Sequence, residues 1–181
     1  MTRRYVDLSM TLSNDVISDP PFLKPHIDYE KHSDTRHELN NFFPGANIDE
    51  MRGGDPFCAS EWVKLTTHSG THVDAPWHYN STIAGEPAQT IDELPLEWFH
   101  APGVVLDFAH KEDGDAVTVP EIDDALAALD RDIQPLDIVL IRTGRDTFLD
   151  APDYMINGPG VTAEATIRLY ELGVRVMGID A

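Results

Sequence analysis

Residues 135–144 read PLDIVLIRTG, an apolar run that opens after a proline and closes on a glycine. Ile138, Val139, Leu140 and Ile141 are consecutive, so both faces of a strand here would be apolar. That pattern fits a strand inside a covered sheet better than one lying on a surface. Its β-branched content and its short length select strand over helix.

The flanking segments keep that reading. Upstream, VPEIDDALAALD (119–130) places Ile122, Leu126 and Leu129 at helical spacing, with acidic residues in the first turn where the helix dipole favours them. Before it, GVVLDF (103–108) is a second compact apolar run between turn signals. Downstream, TAEATIRLYEL (162–172) begins on a capping threonine and ends before Gly173, and VRVMGIDA starts a further strand. Strand and helix alternate, which predicts an α/β fold with a mixed, largely buried sheet.

The first half is less regular. YVDLSMTL (5–12) alternates as a first strand would, and Glu61 to Thr67 suits another. Residues 13–56 are rich in Pro, Asn, Asp and Gly and predict a long irregular arm or loop region within a single domain spanning 1–181. Phe42, Phe43 and Phe57 either line a pocket there or pack against the body or a second subunit. TIDELPLEWF (90–99) predicts a short capped helix or turn starting at Thr90.

Composition narrows the function. The chain has 32 acidic against 13 basic residues, a formal net charge of −19, which argues against nucleic acid and anionic membranes as partners. One cysteine, Cys58, allows no internal disulfide and no cysteine-rich zinc module. The N-terminus lacks the apolar core of a secretory signal, and the expected location is cytoplasmic. The apolar run at the C-terminus ends without a covering element, so the fold is expected to be incomplete there.

The chemistry concentrates in LTTHSGTHVDAPWHYN (65–80). A helix would rotate Asp74 roughly 240° from His68, whereas an extended chain puts His68, Gly70, His72 and Asp74 on one face. A straight strand would still separate the Cα atoms of His68 and His72 by about 13 Å. A bend at Gly70 is therefore expected, bringing two imidazoles and a carboxylate toward one point. Pro76 turns the chain so that His78 can return to the same cavity. Spacing alone suits either a catalytic metal site or a group of hydrogen-bonded surface histidines. Trp77 is either a substrate-pocket wall or a core residue, and Ser69 and Thr71 are expected to bond backbone or the metal-bound imidazoles.

HSGTHVDAPWH (68–78) fills every fixed position of His-x-Gly-x-His-x-Asp-x-Pro-x-His and resembles the signature of the metal-dependent cyclase family, which includes bacterial kynurenine formamidases and isatin hydrolases. VDLSMTLS, DIVLIRTG and VMGIDA are similar to further family strands. The resemblance implies a swivelling β/β/α domain, homodimers or larger assemblies, and a Mn²⁺ or Zn²⁺ site with His68, His72 and Asp74 as ligands and His78 as acid/base. Some members supply another histidine and a glutamate to a second metal from a later region, which has no counterpart before Ala181. The implied activity is hydrolysis of a C–N bond in an amide, formamide or lactam, with Trp77, Phe42 and Phe43 as candidate contacts for a small aromatic substrate. The long segment before the motif leans toward the isatin hydrolases. A catalytically inert metal-binding module is the alternative, and an intact His78 argues against it.

Overall fold

Alternation along the second half does produce strands and helices. In this computed structural model residues 2–16, 18–47 and 58–180 are described, and they belong to two compact units, Met1–His72 and Val73–Ala181. Among the described residues no helix is long and apolar enough to cross a membrane.

In the first unit, strand β1 (His26–Glu30) is followed by the short helices α1 (His32–Thr35) and α2 (Leu39–Phe42), and β1 pairs antiparallel with β2 (Ser60–Lys64). The register sets His26 opposite Lys64 and Glu30 opposite Ser60. The Ser60 hydroxyl and the Trp62 indole N–H both donate to Glu30 Oε2, at 2.9 and 3.2 Å. Asn14 behaves as a surrogate strand neighbour: its amide donates to Ile27 O at 2.8 Å and its oxygen accepts from Ile27 N–H at 2.7 Å. The supposedly irregular stretch thus contains a strand and helical turns. Phe57, and the part of that stretch from 48 to 56, lie outside the described residues.

The strand expected over Tyr5–Leu12 does not form. Tyr5, Val6 and Leu8 are exposed, because alternation yields a buried face only where a neighbouring strand accepts the backbone hydrogen bonds.

The second unit begins with helix α3 (Pro76–Tyr79) and the hairpin β3 (Thr82–Ile83) and β4 (Glu86–Pro87). Next come β5 (Gly103–Asp107), β6 (Ala116–Val117), α4 (Val119–Ala127), β7 (Ile138–Arg142), β8 (Gly160–Val161), α5 (Ala163–Glu171) and β9 (Met177–Ile179). β5, β7 and β9 form a parallel sheet in that order, and β6 pairs with β8. Around Thr90 the chain makes two 3₁₀ turns, with Thr90 N–H donating to Glu93 Oε2 at 2.9 Å.

Helix α4 starts where Thr118 N–H donates to Glu121 Oε2 at 2.9 Å, and α5 where the Thr162 hydroxyl accepts from Ala165 N–H at 3.2 Å. Each cap satisfies a backbone donor that the helix itself leaves open. Gly173 ends α5 with φ +94°, and a Cβ at that position would lie 2.8 Å from Pro135 Cα, so only glycine fits.

The core is Leu106, Phe108, Val117, Ile122, Val139, Ile141, Ala165, Leu169 and Val174. Among the described residues, one face of the sheet is enclosed. Val105, Met177 and Ile179 on alternate positions stay exposed, so the sheet is half-covered where the continuous apolar runs predicted burial on both faces. At the carboxyl ends of the strands, Asp180 accepts from Thr143 N–H at 2.7 Å, Thr143 Oγ1 at 2.6 Å and Gly144 N–H at 2.8 Å, joining the end of β9 to that of β7.

Candidate metal centre

The boundary between the two units falls between His72 and Val73, inside the motif. Strand β2 stops at Lys64, and the chain then turns instead of continuing as the bent strand that alternation suggested. Ser69 N–H donates to Thr66 O at 3.2 Å, and Thr66 N–H donates to the Ser69 hydroxyl at 3.2 Å. Gly70 follows with φ +65°, the left-handed conformation that the expected bend requires.

That turn gathers the two histidines. His68 Nδ1 and His72 Nε2 lie 3.2 Å apart, with the rings edge to face at 5.1 Å between centroids. The two nitrogens are within hydrogen-bond distance, and since two ligands about 2.0–2.1 Å from one tetrahedrally coordinated ion are themselves about 3.3 Å apart, the same spacing would also admit a shared cation. His72 Nδ1 lies 2.7 Å from Gly70 O. A carbonyl oxygen only accepts, so Nδ1 carries the proton, and in the neutral ring Nε2 holds the lone pair. Ser69 and Thr71 bond backbone, as expected: the Ser69 hydroxyl donates to Leu23 O at 2.5 Å, and Thr71 Oγ1 accepts from Met10 N–H at 3.0 Å.

In the second half Ala75 is extended (φ −83°, ψ 161°), and Pro76 opens the single turn α3. Proline serves there because its fixed φ suits the first helical position and its missing N–H is not needed. The turn returns His78 toward Asp74, with Nε2 3.9 Å from Asp74 Oδ2. Tyr79, which the sequence reading did not single out, donates its hydroxyl to the same Oδ2 at 3.1 Å. Partial burial of that hydroxyl, then its hydrogen bond to Asp74 and the carboxylate charge, push the phenol above its usual pKa, so it remains a donor. Its place five residues after Asp74, across one turn, was the available signal.

Trp77 is 53% exposed, which removes the core alternative; its backbone N–H donates to Gln89 O at 3.1 Å. Phe42 and Phe43, in the first unit, are also exposed at the end of α2. A cleft of about 690 Å³ in the second unit is lined by Arg142, Thr143, Arg145 and Phe148, and by no residue of the motif. Buried Arg145 donates there to the carbonyls of Tyr154 (3.2 Å) and Asp153 (2.8 Å), a structural use of its charge.

Facing imidazoles and a carboxylate beside a histidine, on turns of a mixed α/β chain, define a candidate metal-binding protein. The chain belongs to the Cyclase family, whose sequence model matches residues 6–181. It is 30% identical to an isatin hydrolase of Roseibium aggregatum over 150 residues, 74% of this chain and 56% of that enzyme. With a kynurenine formamidase of Paracidovorax citrulli it shares 38% identity over 119 residues, 65% of this chain and 50% of the relative. The chain therefore spans about half the length of these curated relatives. In fold it is similar to an isatin hydrolase solved with the product analogue thioisatinate, at a TM-score of 0.70 and 22% identity, covering 96% of this chain and 65% of that one.

Proposed function

We propose that this chain carries the metal-binding site of a hydrolase that cleaves the C–N bond of an amide, formamide or lactam. The observation that carries the reading is the facing pair His68 Nδ1 and His72 Nε2, 3.2 Å apart, followed within two residues by Asp74. His68, His72 and Asp74 would hold one divalent ion, Mn²⁺ or Zn²⁺, both of which accept imidazole together with carboxylate. Such an ion supplies Lewis acidity toward a carbonyl and toward water.

The remaining work falls to side chains. His78 takes a proton from the attacking water and returns it to the departing nitrogen, without which an amine is a poor leaving group. Asp74 stands beside this base, with His78 Nε2 3.9 Å from Asp74 Oδ2. Tyr79 holds Asp74 by donating to Oδ2, which leaves carboxylate lone pairs for other partners.

The substrate in this reading is small and aromatic, with Trp77, Phe42 and Phe43 as exposed rings available to contact it. The long Pro/Asn/Asp-rich segment before the motif is the ground for preferring a cyclic amide over a formamide. A swivelling β/β/α arrangement, a homodimer or larger assembly, and a cytoplasmic location belong to the same proposal. Light scattering of the purified protein tests the assembly.

Elemental analysis of protein purified without added metal, compared with Asp74→Ala, tests the ligands: the wild type should carry about one ion per chain and the variant far less, while equal contents would refute the assignment. Metal-loaded protein should then hydrolyse at least one member of a panel of formamides, lactams and cyclic imides. His78→Ala should lower kcat by about 10²–10⁴-fold with metal content retained. Metal lost in step with rate would make His78 a ligand, and an unchanged kcat would remove it from the mechanism.

A further inference from the structure

The three residues between His68 and His72 are each tied to a different point of the N-terminal segment. The Ser69 hydroxyl donates to Leu23 O at 2.5 Å, Gly70 N–H donates to Asp19 Oδ2 at 3.2 Å, and Thr71 Oγ1 accepts from Met10 N–H at 3.0 Å. The middle tether differs from the others. Its acceptor is a carboxylate, and Asp19 is only 9% exposed. A carboxylate is almost never buried without a partner, because removing its charge from water is costly. It also meets the one residue of the turn that has a left-handed backbone, Gly70 at φ +65°.

Gly70 links Asp19 to the ligand pair. Its N–H points to Asp19, and its carbonyl accepts from His72 Nδ1 at 2.7 Å. Fixing the glycine backbone therefore fixes the carbonyl that orients the His72 ring, and with it the nitrogen that faces His68. We infer that Asp19 is a positioning residue, whose hydrogen bond to Gly70 sets the orientation and tautomer of His72 for metal binding. The metal part of this inference rests on the proposed function; the orienting part stands on the hydrogen bonds that join Asp19, Gly70 and His72. Groups that orient metal-binding imidazoles typically change metal affinity by about 10–100-fold when removed.

The test uses the full chain as wild type, Asp19→Ala and Asp19→Asn, the last retaining an acceptor oxygen. Asp19→Leu, which withdraws the acceptor while keeping a side chain of similar length, replaces the alanine variant if that fails to fold. NMR of the metal-free proteins reads hydrogen exchange of the Gly70 amide and the ring ¹⁵N shifts of His72, with the Val139 amide as a control for global folding. Calorimetry with MnCl₂ alone reads affinity. Asp19→Ala should lose Gly70 protection, depopulate the Nδ1–H form of His72 and bind Mn²⁺ at least about tenfold more weakly, with Val139 protection unchanged and Asp19→Asn close to wild type. Wild-type Gly70 protection and His72 tautomer in the alanine or leucine variant would overturn the inference. If the wild type takes up no Mn²⁺ while the alanine or leucine variant still loses both NMR signatures, the metal reading falls and the positioning role of Asp19 stands.

Discussion

Ile122, Val139, Ile141 and Leu169 in the second unit are almost fully shielded from water, and each is apolar; in the first unit the well-buried side chains include Ser18, Asp19, Thr35 and Ser69 beside Ile27 and Leu39. The second unit gains its stability from apolar area, a non-directional contribution that tolerates small shifts of the chain. The first relies more on directed bonds, such as Thr35 Oγ1 to Cys58 O at 2.6 Å and the paired bonds of Asn14 to Ile27. Such bonds contribute less each but fix direction, which a pair of converging imidazoles requires. The motif begins in the region held by polar tethers and ends in the region built on an apolar core.

The sharpest test of this contrast is truncation of the core. Ile122→Ala should destabilise the second unit by about 2–5 kcal/mol, read as lost exchange protection at Val139 and Ile141 in denaturant titrations. A loss under about 1 kcal/mol would mean that the apolar cluster is not what holds this unit.

An intermediate effect is expected where the second unit does use a buried charge. Asp137 is 2% exposed and accepts from Arg131 Nη1 at 2.6 Å and from Gln134 N–H at 2.7 Å. The Arg131 guanidinium, opposed by burial and helped by the Gln134 amide, holds the Asp137 carboxyl below its usual pKa. A depressed folded-state value means that the stabilisation is present above the unfolded pKa of about 3.9 and is lost as pH falls through the folded value. Asp137→Asn should cost about 1–2 kcal/mol at pH 7, and the gap from wild type should close in acid. A gap that stays constant from pH 7 down to pH 2 would show that the charge is not responsible.

The smallest change belongs to the first unit. Thr35→Val keeps the shape of a side chain that is 1% exposed and removes its bond to Cys58 O. About 1 kcal/mol should be lost, confined to amides of β1 and β2. A cost equal to that of Ile122→Ala, or one that spreads to Val139, would erase the distinction between the regions.

What could be read from the chain follows the same division. β5, α4, β7, α5 and β9 are visible because each rests on a short-range signal: an apolar run, a 3.6-residue repeat, a threonine cap or a closing glycine. The motif was legible too, including the bend at Gly70 and the proline turn before His78, since both follow from backbone preferences of single residues. Tyr5–Leu12 shows the limit, for its alternation is as regular as a strand's and yet among the described residues no strand pairs with it.

Tertiary structure alone decided which partners met. The bond from Asp19 to Gly70 spans 51 positions and the tie from Thr143 to Asp180 spans 37, and no local pattern marks either aspartate as different from the many others in so acidic a chain. Likewise PLDIVLIRTG specified a strand but not that one face of its sheet would stay open, because side-chain alternation is a property of the strand while coverage depends on what the rest of the chain brings to it. The sequence by itself determined the local elements and the ligand-type residues; the fold determined the polar tethers that aim them, because a hydrogen bond depends on the positions of two groups in space and periodicity constrains only groups close along the chain.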